Sequence, residues 1–596
     1  MPGTQTKDGE NQNFLTIWFY SVFESKDHYS FYFGYWLFGR TLGLITLLAF
    51  LSYWIQADAL IGIDGLLPWE KNLSKIETIT EQNSNLNKFT LLPTLLWFEP
   101  FANHNLLFSI GTLAAFLLTI GLIPLISATI TYIIYLSLMV VGEPFLSFQW
   151  DALLTETLFL SIFLLPGTTL HRFSDCITFP RFGQFLIIFL LVKLMIESGI
   201  VKLTYFAGDG SNTWRELTAL DFHYWTQPIP NSLSPWVHSM PSWFDKGCLY
   251  LMFGIELILP LLLFLRGNPR RLALVGQIML QIAILASGNY GFFNLLTLCL
   301  CIPLIDDQIL PKNIKNKYLY SVPEIRNGNS TVRIGTILFL SSVLIITAFG
   351  HIVNDLNGNR TGDYKNYQVP AWVKNLQAEA RIFRSFNSYG LFRVMTTTRP
   401  EIIIEASLDG QSWKTYKFKW KPSCKNQDLH FTGPHMPRID WQMWFEGLNF
   451  ENYSQHPFSR FLYARYLQMM INGQSTQDCF NLSLVLGQRE FQALKKAPKS
   501  IQSQAVSNFQ NLMQSFTARS NWFGLFLRKL GQGNEIILNE LSGSNPVDFK
   551  PAYLRVSLKH FKFSDKPNQI WEVSDIPDAS FMLTSPSINQ SDKEKP

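Results

Sequence analysis

Long apolar runs crowd into roughly the first 350 residues of this chain and are missing from the remaining ~245, so any fold it adopts must join a lipid-soluble half to a water-facing one. A bilayer core about 30 Å thick takes roughly 20 helical residues to cross, and inside it every backbone polar group must be satisfied by the helix or its neighbours. About nine stretches meet or approach that requirement: Tyr32–Trp54, Asn105–Ile123, Thr129–Val141, Ala152–Pro166, Phe182–Leu203, Cys248–Leu265, Leu272–Ala286, Phe292–Ile305 and Ile334–His351. The third, fourth, seventh and eighth are short, and one pair could instead be a re-entrant or buried hairpin. Whole-chain averages of 47% hydrophobic and 16% charged residues conceal the division, because they mix two unlike halves. No cleavable signal peptide is expected, since the first apolar run is too long and too aromatic for a signal core and serves as its own insertion signal.

Lysine and arginine in short loops are retained on the cytoplasmic side, which orients the spans. Arg266, Arg270 and Arg271 fill the turn between the sixth and seventh, and Lys312, Lys315, Lys317, Arg326 and Arg333 precede the ninth. The loop with Arg172 and Arg181 falls on the same side. The long loop 55–104 holds more acids than bases, and 204–247 carries Arg215 and Lys246 as its strong bases. Both long loops and everything after His351 are therefore expected outside, with residues 1–31 a cytoplasmic segment and 32–351 a helical domain. An even-numbered bundle with the tail inside is the alternative that the short spans leave open.

The tail changes period. Leu391–Thr398, Glu401–Leu408 and Trp413–Trp420 are rich in β-branched and aromatic residues, and Arg399-Pro400 and Asp409-Gly410 supply turn chemistry between them, so a β-meander is expected. Asp440–Leu448 and Pro457–Ile471 read as helices, as do stretches between Gly487 and Gln514 and between Asn521 and Leu530. β-type runs return at Ile536–Leu541 and Tyr553–Phe563. The expected fold class is thus a polytopic α-helical membrane bundle of about nine spans followed by a mixed α+β soluble domain, 352–582, with residues 583–596 disordered.

Motifs of soluble enzymes are missing: no His-Glu-x-x-His, Cys-x-x-Cys, Gly-x-Ser-x-Gly or Walker loop occurs, and no catalytic residue, metal site or cofactor is expected. Nor is a nucleic-acid partner. Of the six cysteines, Cys248, Cys299 and Cys301 read as small apolar fillers, whereas Cys424 and Cys479 lie in the tail and form a disulfide if it faces an oxidising compartment.

The membrane half places ionisable groups in a hostile solvent: Arg40, Glu156, Lys193, Glu197, Lys202 and Glu256. At mid-bilayer each costs at least roughly 2.5–3.5 kcal/mol on insertion scales, so each is expected to face the bundle interior and find a partner. Lys193 and Glu197, four apart, share a helix face and form a structural ion pair on one reading; on another they belong to a polar site facing lipid head groups, a quinone-like ligand or a substrate segment. Gln277 and Gln281 could add hydrogen bonds to the same interior. The loop from Phe222 to Phe244 is dense in Trp, Tyr and Pro, as a segment half-submerged at the membrane interface would be.

Four strings carry a resemblance: Ile196-Glu197-Ser198-Gly199-Ile200-Val201-Lys202-Leu203, the loop from Leu217 to Pro241, Ser287-Gly288-Asn289-Tyr290-Gly291-Phe292-Phe293-Asn294, and Pro434-His435-Met436-Pro437-Arg438-Ile439-Asp440-Trp441-Gln442-Met443-Trp444-Phe445. In order, from about Trp36 to Trp571, the chain resembles the lipase maturation factor family. The resemblance implies a membrane protein, of the endoplasmic reticulum in eukaryotic members, that helps secreted dimeric lipases reach their active fold, with a large exposed tail associated with client engagement and no established catalytic centre. In a bacterial homologue the setting would be the inner membrane with the tail in the periplasm. The ending Lys593-Glu594-Lys595-Pro596 is not a Lys-Asp-Glu-Leu-type signal, so retention would rest on the spans.

The expected partners are a client lipase or other exported protein and membrane lipids. Arg438, Trp441, Gln442 and Trp444 are the candidate client contacts, because Trp and Arg dominate interaction hot spots; the same spacing also suits the buried face of a tail helix. Arg384, Phe386, Asn387, Tyr389, Phe392 and Arg393 form a second cluster with the same ambiguity. The membrane half is also loosely similar to that of vitamin K-dependent carboxylase, which would cast Lys202 beside Glu197 as an intramembrane base.

Overall fold

The computed structural model describes residues 31–175, 181–314, 331–359, 367–543, 545 and 550–585. Expectations for residues 1–30, for Lys315, Lys317 and Arg326, for the side chains of Arg181 and Arg333, and for the segment beyond 585 lie outside the described residues.

Each expected apolar stretch is helical. The helices are α1 (Tyr32–Leu60), α3 (His104–Ile120), α4 (Pro124–Val141), α5 (Gln149–Ile162), α6 (Arg181–Thr204), α8 (Ser242–Phe253), α9 (Asn268–Ser287), α10 (Phe293–Cys301) and α11 (Thr331–Asn357). Two more, α2 (Trp69–Gln82) and α7 (Ala219–Thr226), lie in the long loops. By length and composition four segments among the described residues can cross a bilayer: α1, α4, α9 and Leu338–Asn357 of α11. The others fall short for physical reasons. Helix α6 is long but carries Lys193, Glu197 and Lys202, α3 and α5 have 17 and 14 residues, and α8 runs into a π-helical turn at Gly254–Ile258. That turn is held from α9, where Gln277 Nε2 donates to the Ile255 carbonyl at 2.9 Å, and Gln281 accepts from Asn294. Close helix approach in lipid needs small residues. At Gly43 a Cβ would come within 2.5 Å of the Thr119 nitrogen, so α1 and α3 meet there only because the side chain is absent.

After α12 (Ala371–Ala380) the C-terminal half builds one antiparallel sheet in the order β2-β1-β3-β4, from β1 (Pro400–Ser407), β2 (Lys414–Tyr416), β3 (Tyr553–Phe563) and β4 (Trp571–Thr584). Between β2 and β3 are inserted α13 (Arg438–Ser454), α14 (Pro457–Ile471), α15 (Gln488–Lys496), α16 (Lys499–Arg519), α17 (Asn521–Gly531) and α18 (Glu535–Glu540). The sheet is not the meander expected. Leu391–Thr398 forms no strand: Phe392 takes a left-handed φ of +53°, which breaks an extended run, and its carbonyl accepts from Trp214 Nε1 at 3.0 Å; β1 pairs instead with β3, placing Ile404 opposite Val556 and Glu405 opposite Arg555. Ile536–Leu541 is helical up to Glu540, since the Asn534 side chain accepts from Ile537 N and caps the turn, overriding β-type composition. Strand β4 shows no regular β pattern in the sequence because Asp575, Pro577 and Asp578 interrupt it, residues tolerated at a sheet edge.

The helical insertion buries an aromatic cluster of Tyr453, Tyr463, Tyr466 and Phe516, and with it Glu446, which accepts a hydrogen bond from the Tyr463 hydroxyl. Burial pushes the Glu446 carboxyl up to about 7. The folded state therefore favours the neutral acid. This group's contribution is fully present below the ordinary carboxyl pKa of 4.5 and is lost as pH rises through about 7, a difference of about 3 kcal/mol. Glu446→Gln should remove that slope, so that chemical denaturation at pH 5 and pH 8 gives more similar stabilities than in the parent; an unchanged slope would place the titration elsewhere.

Candidate functional site

The two halves meet at one end of the bundle, and two of the groups that join them, Glu156 and Glu197, are charges the sequence marks as out of place. Helix α13 begins after Pro437, and its first turn enters the helical half. Arg438 Nη1 and Nη2 donate to the two oxygens of Asp151, in the first turn of α5, at 2.6 and 2.9 Å, and Nη1 also reaches the Phe145 carbonyl at 2.9 Å. Tyr135 OH donates to Asp151 Oδ1 at 2.6 Å, and the Tyr53 ring lies 5.6 Å from the guanidinium. Asp151 and Arg438 are both wholly buried. A planar fork on a carboxylate is the strong form of this contact, and in a dry site it tolerates loss of neither partner.

Polar residues of α1 bind the backbone just before Arg438. Ser52 Oγ accepts from Met436 N at 2.9 Å, Gln56 Oε1 accepts from Arg438 N at 2.9 Å, and Gln56 Nε2 donates to the Met436 carbonyl at 3.0 Å. Burial, with Arg438 and Lys419 nearby, holds the His435 imidazole down to about 4, so it is neutral where it shares a hydrogen bond with Ser52 at 3.0 Å. Further along α13, Gln442 donates to the Pro144 carbonyl, Trp444 Nε1 to the Thr226 carbonyl, and Trp441 packs edge-on against Trp150 at 4.7 Å. Arg438, Trp441, Gln442 and Trp444 have relative exposures of 0, 2, 7 and 5%. As placed here they are covered by the chain's own helical half, and the expectation that they meet a client is corrected: the Trp and Arg pattern of a hot spot is satisfied within the molecule.

A second contact is made by the segment 383–393, which dips beside α5 and α6. Glu156 lies two turns into α5, roughly 10 Å from its start. There it takes the Lys193 ammonium on Oε1 at 2.7 Å, and on Oε2 the Tyr389 hydroxyl at 2.7 Å and the Asn387 amide N–H at 3.1 Å. Glu197 accepts from Tyr389 N at 2.8 Å, and Gln149 accepts from Gly390 N at 3.0 Å. Gly390, at φ +154°, has Val201 so close that a Cβ would come within 2.6 Å, so the strap approaches α6 only with glycine there. The expected Lys193–Glu197 pair is not formed: sharing a helix face did not make them partners, because Glu156 from α5 claims the ammonium and Glu197 turns to the strap. The aromatic and basic cluster around Tyr389 is thus an internal strap.

Arg399, at the head of β1, makes a third contact that sequence reasoning missed beyond its turn chemistry. It donates to the carbonyls of Trp225, Gln227 and Pro228 and pairs with Glu401 at 2.8 Å, which pairs in turn with Lys421 at 2.7 Å; all three side chains are fully buried. Asp151 and Gln56 were missed as well. An unpartnered acid at the head of an apolar run was the available signal for Asp151.

The remaining intramembrane charges are accounted for within the helical half. Lys202 donates to both oxygens of Glu256 at 2.8 Å and to the Ser198 carbonyl at 3.2 Å, with the Trp214 ring 5.4 Å away. It pairs with Glu256 and not with Glu197. A cavity of about 90 Å³ lined by Asn212, Trp214, Met395 and Thr397 is well below the ~300 Å³ usual for a small-molecule site. Arg40 is half-buried, stacks on Trp36 at 4.2 Å and donates to the His171 carbonyl. Cys424, in the loop after β2, and Cys479, buried beyond the C-terminal end of α14, are both free thiols, which corrects the expected disulfide. Among the described residues no group of three or more His, Cys, Asp or Glu could hold a metal ion.

Comparison with known proteins gives two matching family models, the lipase maturation factor transmembrane domain over residues 34–312 and the lipase maturation factor C-terminal domain over residues 385–506. The chain is 32% identical to lipase maturation factor 2 of Xenopus tropicalis over 534 residues, covering 71% of this chain and 72% of that protein. It is 30% identical to lipase maturation factor 2 of Xenopus laevis over 71% of this chain and 72% of the relative, and 29% identical to lipase maturation factor 1 of Homo sapiens over 68% and 72%. No solved structure matches it.

Proposed function

The chain belongs to the lipase maturation factor family, and from that membership we propose that it is a membrane-anchored, chaperone-like factor that assists the folding or assembly of secreted lipases or related exported proteins. It works as a single docked unit in which the helical half holds the C-terminal half at the membrane surface. The observation that carries this reading is the buried junction of Arg438 with Asp151 and of the strap with Glu156 and Glu197, which spends the costliest groups of the helical half on positioning the C-terminal half. A folding lipase exposes apolar surface and unpaired strands, and a surface that binds these reversibly suppresses aggregation until partners dock. Residues 1–31 form the cytoplasmic segment, 32–351 the domain with nine spans, the short ones completed by neighbours, and 352–582 the core of the soluble domain outside, which continues through Leu583 and Thr584 at the end of β4. In a eukaryote the setting is the endoplasmic reticulum membrane, and in a bacterium the inner membrane with a periplasmic tail.

Co-expression with an exported dimeric lipase, in cells lacking a maturation factor of their own, tests this. The full chain should raise the ratio of active to total lipase, and a chain ending at residue 359 should not. Equal rescue by the helical half alone would sink the proposal.

A further inference from the structure

Between α2 and α3 the segment 86–101 exposes large apolar side chains while most of its backbone N–H groups are paired. Leu86, Phe89, Leu91 and Phe98 are 38, 43, 42 and 49% exposed, and the Phe89 and Phe98 rings stack at 5.8 Å. Yet the N–H groups of Phe89 and Leu91 are taken by Asn87, that of Leu92 by Lys88, that of Leu96 by Thr94 and that of Phe98 by Leu95. A loop facing water has no need to close its hydrogen bonds in this way, whereas one facing lipid must.

Its position agrees. The exposed face of α4 runs through Ile126, Ile130 and Ile133, and the next position on that helical stripe is Ser137. Ser137 is 2% exposed, because Leu95 lies over it and donates its N–H to Ser137 Oγ at 3.1 Å. Ser137 is four residues, or roughly 6 Å, short of the end of α4 at Val141. The segment therefore sits on the apolar face of a candidate span, about one turn inside its rim. The cation Lys88 pairs with Glu77 of α2 at 3.0 Å and lies over the Trp97 and Phe89 rings at 4.7 and 5.8 Å, a placement suited to head-group level above the apolar tips.

We infer that residues 86–98 form an interfacial clamp, with Phe89, Leu91 and Phe98 inserted at the boundary between lipid head groups and acyl chains. The occupant is the lipid surface itself, because the patch continues the exposed apolar face of a helix long and apolar enough to cross a membrane. Aromatic rings with satisfied backbone suit that depth.

Spin labels at Phe98→Cys and Leu91→Cys, in the full chain freed of native cysteines and reconstituted in phosphatidylcholine vesicles, test it. Oxygen should broaden both spectra and a water-soluble nickel chelate should not, as for Ile133→Cys on the lipid face, whereas Ser84→Cys, exposed earlier in the same loop, should show the reverse. Nickel accessibility at 91 and 98 equal to that at 84 would overturn the clamp. Protection from both reagents would overturn it too, since protein would then cover the patch. These substitutions fall on exposed side chains, so a reading independent of folding is available, and the result does not depend on whether the chain matures lipases.

Discussion

Replacing Asp151 with Asn should destabilise the union of the two halves by roughly 3–5 kcal/mol, because it strands the Arg438 guanidinium in a site from which water is excluded. Arg438→Met should cost a similar amount by stranding the carboxylate. The double variant should be less damaged than either single one, since the expensive species is a lone buried charge. Limited proteolysis in membranes reads this directly: both single variants should lose the protease resistance of the C-terminal half, and the double should recover part of it. Costs in the double equal to the sum of the singles would show that the two groups do not interact.

The second large effect is expected at Glu156. Glu156→Leu removes at once the partner of Lys193 and the acceptor for Tyr389 and Asn387, again roughly 3–5 kcal/mol where the ammonium is left buried. Lys193→Met should be milder, because Glu156 would keep its two donors from the strap. Glu197→Gln should be milder still: an amide oxygen can accept from Tyr389 N as a carboxylate oxygen does. An order in which Glu197→Gln was the worst would point to a role for that carboxylate beyond holding the strap.

These groups also show what could be read without coordinates. Apolar runs and their lengths mark the helices of the first half because lipid imposes one requirement on every residue it touches: all the expected stretches are helical, and four segments among the described residues are long and apolar enough to cross a membrane. Partnership was not legible in the same way. Lys193 and Glu197 have the spacing of a pair, but the acid that binds Lys193 comes from 37 residues earlier, on α5. The string from Pro434 to Phe445 stands out in the sequence for good reason, yet Trp and Arg look alike whether they serve a client or a buried junction. What decides between those is Asp151, 287 residues away from Arg438. The sheet was half legible: β1 and β3 show β-branched runs, while β4 is an edge strand punctuated by Pro577 and acids, and its pairing crosses a helical insertion that no local pattern announces.

The most direct test of a docked unit joins its halves covalently. Ser52 on α1 and His435 before α13 bring side-chain atoms to 3.0 Å. Cysteines at those two positions, in a chain otherwise free of cysteine and with a protease site placed within 360–366, should form a disulfide on mild oxidation in native membranes. The two fragments should then stay joined after cleavage until reductant is added. Fragments that separate without reductant, although both cysteines label once the protein is denatured, would contradict the account.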